Sequence, residues 1–275
     1  MEDSKGIKKS VSNNHMEGRI IQSVDRAVKI LLQFLEKERE LALKDIAAGI
    51  DLPKPTVHTI VNTLVQNNLL EQNHENAKYR LGSVVFRLGV QYIRNKDFLS
   101  TVSVWAERLC YRFNLSVNVS MLIGNQVVVI HRVDPNDVIM THPQVGSVMP
   151  IHCTCNGKVL LAYTDRETRD IILKDYQFTK ATEKTITNRE DFEKELEKIR
   201  VNGIGFNNEE GILGIRAIGG PIFDHRGKIL AAIGTTGYAT FFDENEIKII
   251  NDVKMTCSSI SRQLGFTGTV SASEA

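Results

Sequence analysis

The chain has 275 residues, of which 42% are apolar and 24% charged, enough for two globular domains with separate cores. A formal net charge of +1 argues against a polyanion-coating protein; Lys plus Arg against Asp plus Glu is 14 to 11 before Asn95 and 20 to 22 after it, so the two parts carry about +3 and −2. Cys110, Cys153, Cys155 and Cys257 lack disulfide-framework spacing, no apolar run is long enough to span a bilayer, and "MEDSKGIKKSVSNNHMEGR" has no signal-peptide core, which together point to a reducing, cytoplasmic setting without a membrane partner.

Residues 1–18 are polar and are expected to be a disordered extension. A first domain is expected over 19–82. Val24, Ala27, Val28, Leu31, Leu32 and Leu35 recur at helical spacing after Gln22 and Ser23. Leu43, Ile46, Ala47 and Ile50 form a second, very short helical stripe. Leu52 and Pro53 interrupt it, and Pro55 sits where only the first turn of a new helix tolerates proline. Val57, Ile60, Val61, Leu64 and Val65 supply the third stripe. Strand-like ends at Leu69–Gln72 and Lys78–Leu81 around an Asn-rich turn then suggest a β-hairpin. Helix, short helix, tight turn, helix, hairpin is the order of a winged helix-turn-helix, whose third helix buries one face and lays the other in a DNA major groove. A helical bundle with a merely solvated polar face is the competing reading of the same pattern.

"LKDIAAGIDLPKPTVHTIVNTLVQNNLL" followed by "YRLG" resembles the DNA-binding domain of the isocitrate lyase regulator (IclR) family of bacterial transcription factors. Two further stretches agree: "GIGFNNEEGILGIRAIGGPIFD", with Asn207 where Asp or Ser is usual, and "PIHCTCNGKVLLA". The resemblance covers roughly 20–265. It implies a DNA-binding domain joined to a GAF-like domain that binds a small molecule, and a dimer or dimer of dimers.

The second domain also reads from its residues. Val85, Leu88, Gly89 and Tyr92 suit a linker helix over 83–95, and an effector-binding domain is expected over 96–266. A helix near Leu99–Phe113 precedes "SVNVSMLIGNQVVVIHRV", a hairpin with a Gly-Asn turn. Helices around Lys158 and Glu195 follow, then strands "RAIGGPIFD" and "KILAAIGTTG" and a closing helix from Asp243 to Leu264. Helices around an antiparallel sheet make an α+β domain. The tail over 267–275 is expected to be disordered.

On the third helix, Pro55 and Thr59 stand where the family usually has Ser and Arg, and loss of an Arg removes the commonest reader of guanine. Base contacts are therefore expected from Thr56, His58 and Asn62, and phosphate contacts from Lys54, Tyr79 and Arg80; Lys44, Pro55 and Thr59 complete the expected DNA-facing set. The partner would be a palindromic double-stranded operator, since one short helix reads too few bases alone.

Thr154 is placed to cap a helix through Ala162, whose Cys155, Asn156 and Gly157 N–H groups would face an anion. The resemblance implies that Val138, Thr141, Asn207, Ala217, Gly234 and Thr236 complete the cavity. A compact organic acid is the expected effector. No cofactor and no catalysis are expected: "GILGIRAIGG" lacks the ending of a P-loop and the context of a dinucleotide fingerprint, and His152 beside Cys153 and Cys155 has no orienting third group. A metal held by His142, His152, Cys153 and Cys155, with Cys257 joining, stays open as the alternative, although paired Cys-x-x-Cys knuckles are missing. The rival for the whole chain is an enzyme or ligand-storage module with a helical appendage.

Overall fold

The computed structural model describes residues 20–36, 40–50, 52–94, 98–135 and 143–268. The expected extension over 1–18, most of the expected tail, and Val138, Thr141 and His142 lie outside the described residues. The chain divides into two units, Met1–Asn95 and Lys96–Ala275.

In the first unit the order is α1 (Gln22–Glu36), α2 (Leu43–Ala48), α3 (Lys54–Gln66), β1 (Leu70–Gln72), β2 (Tyr79–Leu81) and α4 (Ser83–Arg94). Pro53 occupies the N-cap position of α3 and Pro55 its first turn, where a missing N–H breaks no helical bond. Ile30, Phe34, Ile46, Val57, Val61, Leu64 and Leu70 close one core over which the three helices pack. The buried Gln33 ties α1 to α2 by donating from Nε2 to the Ile46 carbonyl at 3.1 Å. A side chain at Gly49 would meet Gln33 Oε1 at 2.3 Å, so any larger residue there would push the Gln33 amide aside. The β1–β2 hairpin is the wing: Leu70 pairs Leu81, and Leu41 adds a bridge to Tyr79. Glu40 accepts from Asn76 Nδ2 at 2.7 Å and from Asn73 Nδ2 at 3.0 Å, and these bonds, Asn76 first, hold its carboxyl below the usual range.

The expected stripe of α1 is corrected. Val24, Val28, Leu32 and Leu35 are exposed, at 57, 47, 50 and 72%, while Ile30 and Phe34 take the core. Two apolar stripes share this helix, and spacing alone does not say which one meets α2 and α3.

The second unit contains α5 (Phe98–Phe113), β3 (Ser116–Ile123), β4 (Gln126–Val133), β5 (Val148–Met149), α6 (Cys155–Ala162), α7 (Arg166–Leu173), α8 (Arg189–Asn202), β6 (Gly205–Asn208), β7 (Ile215–Phe223), β8 (Ile229–Tyr238) and α9 (Ala239–Gln263). The short strands β5 and β6 and helix α7 add to the expected elements. Six strands form one antiparallel sheet in the order β5-β4-β3-β8-β7-β6. Val117, Val119, Met121, Ile218 and Ile233 point to one face, where α5 and α9 supply Phe98, Val102, Phe242, Val253 and Ile260. The opposite face receives α6 and α8, with Val159, Leu160, Phe192, Leu196 and Ile199 in a second core. Among the described residues no helix is long and apolar enough to cross a membrane.

Glycine decides how α6 sits. Gly205, Gly219 and Gly234 align across β6, β7 and β8. A Cβ at Gly205 would lie 2.7 Å from Val159 Cγ2, and one at Gly219 or Gly234 would lie 2.7 Å from Asn156 Oδ1. The lane of glycines is thus the bed of α6, with the N-terminal end of the helix over β7 and β8 and its next turn over β6.

Candidate functional site

One candidate surface is the outer face of α3. Val57, Val61 and Leu64 are buried, which turns Lys54, Pro55, His58, Thr59 and Asn62 outward; Thr56 is half-buried at the edge, and Lys44 is exposed on α2. Asn62 Nδ2 donates to His58 Nδ1 at 3.3 Å, which places the proton of a neutral ring on Nε2 and turns that N–H outward as a donor. Thr59 Oγ1 donates back to the Pro55 carbonyl one turn earlier, at 3.1 Å. Two expectations change. Tyr79 is 5% exposed and packs in the core, so its ring does not reach a phosphate. Arg80 is exposed but bonded to Glu71, Nε to Oε2 at 3.3 Å, and would have to exchange that partner for DNA.

A second candidate lies on the sheet face that carries α6. Cross-strand register puts Ser116 beside Thr236, Thr236 beside Ala217 and Ala217 beside Asn207, in a lane next to the glycines. Asn118 pairs Gly234, and Arg132 pairs Asn118. Paired residues share a face, so these polar groups continue the bed of α6 beyond the end of the helix. Ser116, Asn118 and Arg132 were absent from the expected set, although Ser116, Asn118 and Ser120 alternate with Val117, Val119 and Met121 in the sequence and that period-two signal was there to read. Arg132 donates to Asp134 through Nε and Nη2, each at 2.6 Å, and through Nη1 to the Pro143 carbonyl at 2.9 Å; Ser116 Oγ donates to Asp134 at 2.7 Å.

The first turn of α6 is capped as the sequence suggests: Thr154 Oγ1 accepts the Gly157 N–H at 3.2 Å. Gly157 is therefore removed from the expected anion-binding N–H groups, leaving those of Cys155 and Asn156. The side chain of Asn156 is also committed, donating to the Asn118 carbonyl at 3.1 Å and to Ser120 Oγ at 3.2 Å. Gly234 lies under Asn156 Oδ1 and Cys155 Sγ, so these three expected cavity residues pack on one another. Of the expected floor, Ala217, Thr236 and Asn207 remain in the lane beside the glycines, where Ala217 is buried and Thr236 and Asn207 are half-buried. Asn207 Oδ1 accepts the Glu210 N–H at 2.8 Å, which leaves its Nδ2 as donor.

Behind the site Lys158 is completely buried and donates to both carboxylate oxygens of Glu210, at 2.7 and 2.8 Å, with Glu195 at 3.6 Å. Thr185 Oγ1 donates to the Glu210 carbonyl at 2.6 Å and Thr182 Oγ1 to that of Glu209 at 2.8 Å. The ion pair joins α6 to the turn that follows β6, next to Asn207.

The Cys/His segment has other employment. Tyr176 Oη accepts the Ile151 N–H at 2.9 Å and lies 2.7 Å from His152 Nδ1, while His152 Nε2 lies 3.0 Å from the Thr179 carbonyl. Nδ1 therefore accepts the tyrosine proton and Nε2 donates, so neither ring nitrogen faces a metal. Burial holds His152 below its ordinary value and pushes the Cys155 thiol up to about 12, which opposes the thiolate a metal needs. Among the described residues no group of three or more His, Cys, Asp or Glu could hold a metal ion.

Residues 90–262 match the model described as bacterial transcriptional regulator IclR C-terminal, and residues 23–74 match the IclR helix-turn-helix domain. The chain is 29% identical over 248 residues to the HTH-type transcriptional regulator XynR of Escherichia coli K12, covering 90% of this chain and 98% of that protein. It is 32% identical over 250 residues to the glycerol operon regulatory protein of Streptomyces coelicolor, covering 90% and 98%. Among solved structures, an IclR homolog from Microbacterium hydrocarbonoxydans complexed with 4-hydroxybenzoate superimposes with a TM-score of 0.78 at 21% identity, covering 88% of this chain and 98% of that one.

Proposed function

The chain belongs to the IclR family of bacterial transcriptional regulators, and from that membership we propose that it grips a palindromic operator as a two-fold dimer through α3 and releases or tightens it when a small organic acid occupies the second unit. The observation that carries the DNA reading is the exposed face of α3, polar and proline-started, above a buried apolar one. His58 Nε2–H suits an acceptor on a base edge, while Lys54 suits a phosphate. Asn62 and Thr56 flank His58 on the same helix, with Lys44 on α2 beside the backbone.

The second copy is supported by α1. Val24, Val28, Leu32 and Leu35 stand at i, i+4, i+8 and i+11 on one exposed face, and a self-complementary apolar stripe is what an isologous interface requires. Two half-sites one helical turn apart need two such helices. The acid is supported by the capped first turn of α6, whose Cys155 and Asn156 N–H groups lie at the positive end of the helix. The segment Ser83–Asn95 carries coupling between the units, because an effector acts on DNA only through the arrangement of two recognition helices.

A mobility-shift assay tests the DNA reading, comparing the promoter fragment with random DNA at one salt concentration. His58→Ala should change sequence preference, whereas Lys54→Ala should weaken every sequence and lower the salt slope by about one unit. Equal loss on specific and random DNA for His58→Ala would remove His58 from the base-reading set.

A further inference from the structure

The hairpin β1–β2 carries no net charge of its own, since Glu71 and Glu75 balance Lys78 and Arg80. Helix α3, by contrast, holds Lys54 and no carboxylate. The wing is also wired to a residue far from it in sequence. Glu40, just ahead of α2, accepts from Asn73 Nδ2 and Asn76 Nδ2 in the wing turn. The Oδ1 atoms of the same two asparagines accept the N–H groups of Glu75 and Lys78, each at 2.9 Å. Both amides are thus engaged at both ends, and the Leu41–Tyr79 bridge fixes the chain next to Glu40 on the same hairpin. The Glu40 carboxylate cannot swing away from the wing without giving up these bonds.

Arg80 stands between this carboxylate and a second one. Glu71 is its direct cross-strand partner and takes both Nε and Nη2 on Oε2, each at 3.3 Å, while Nη1 lies 4.0 Å from Glu40 Oε1. The guanidinium side chain is 54% exposed, so a phosphate can reach it. That phosphate would meet two carboxylates around one guanidinium, all within the roughly 8 Å over which charges are felt at physiological salt. An exposed ion pair is weak and exchanges readily, yet the displaced carboxylates stay beside the incoming anion and repel it.

Phosphate contacts supply affinity for any sequence, and base contacts supply the difference between sequences. We propose that Glu40 and Glu71 are specificity-determining residues for DNA: they withhold Arg80 from the phosphates, which lowers affinity for arbitrary sequence and leaves the choice of site to the base contacts of α3. The proposal rests on the DNA reading given above and adds a restraint to it.

Fluorescence anisotropy of the full-length protein tests it, with a random-sequence duplex and an equally long duplex from the region upstream of its own coding sequence, each over a range of salt. Glu71→Gln keeps the size and an acceptor for Arg80, and it leaves the Asn73 and Asn76 bonds to Glu40 in place. It should bind random DNA about three- to tenfold more tightly near 0.1 M salt, steepen the salt slope by about one unit and narrow the preference for the upstream duplex. Adding Arg80→Gln should cancel the gain. Glu40→Gln should act in the same direction to a smaller extent, and no gain there removes Glu40 from the pair. A merely structural role for Glu71 predicts weaker binding with an unchanged slope. Unchanged or weaker binding of random DNA by Glu71→Gln, or a gain that survives Arg80→Gln, overturns the masking while leaving the protein a reader of DNA. Binding of neither duplex by the parent or by Glu71→Gln overturns both.

Discussion

Replacing Lys158 by Met removes the cation paired with a carboxylate that is itself nearly buried. Lys158 Nζ is fully enclosed and sits 2.7 Å from Glu210 Oε1, whose side chain is 9% exposed. After the change Glu210 keeps the Asn208 N–H at 3.2 Å but loses both of its short ionic bonds. Breaking one side of a buried pair costs about 3–5 kcal/mol, because the remaining charge is left without compensation. For a domain of this size 1 kcal/mol moves the melting midpoint by about 2–4 °C. The second unit should therefore melt about 6–20 °C lower, as read by scanning calorimetry. Replacing both partners, Lys158→Met with Glu210→Leu, should restore most of that loss, since an apolar pair of similar volume replaces a desolvated ion pair at little net cost. The double variant should still be slack in the turn that orients Asn207, visible as faster amide exchange at Asn208 and Gly211–Gly214. A single variant that melts within 2 °C of the parent, or a double variant no better than the single, would show that the pair is not the buried, uncompensated contact inferred from these distances.

Three further outcomes are expected. A flexible Gly-Ser insertion after Arg87 should leave effector affinity nearly intact and abolish the effector's influence on DNA binding; regulation that persists would show that Ser83–Asn95 carries no coupling. Leu32→Glu places a charge in the exposed stripe of α1 and should shift the protein toward monomer in sedimentation, with weakened operator binding at equal protein concentration; an unchanged sedimentation coefficient would return that stripe to solvent. Burial pushes Cys110 up to about 11 and Cys155 up to about 12 from an ordinary 9.0. Unfolded thiols then release their protons at lower pH than folded ones, so stability is intact below about pH 9 and falls as pH rises through the window up to about 12. Urea melts at pH 8 and pH 10 should show this decline, and Cys110→Ala should make it shallower; a slope that Cys110→Ala leaves unchanged would deny the thiol its part.

The local grammar of this chain was readable without coordinates. Proline at 53 and 55 between two apolar stripes dictates a turn and a new helix, because proline tolerates only the first turn. The Gly-Asn turn centred in a run of alternating residues dictates a hairpin, and Thr154 at its offset dictates a capped helix. Each rests on contacts within a few residues. Which stripe of α1 is buried was not readable, because Ile30 and Phe34 are chosen over Val24, Val28 and Leu32 only by the shape that α2 and α3 present. Tyr79 was expected to hold a phosphate and became core, bridged to Leu41, a partner 38 positions away. His152, an alternative metal ligand by its sequence, is held by Tyr176 and Thr179. The candidate effector floor depends most on tertiary structure: β3 pairs with β8 across more than a hundred residues, and only that register sets Asn118 beside Gly234 and Ser116 beside Thr236. Alternation reveals which residues share a face of one strand, while the lane they form with other strands is decided by non-local pairing that no period in the sequence encodes.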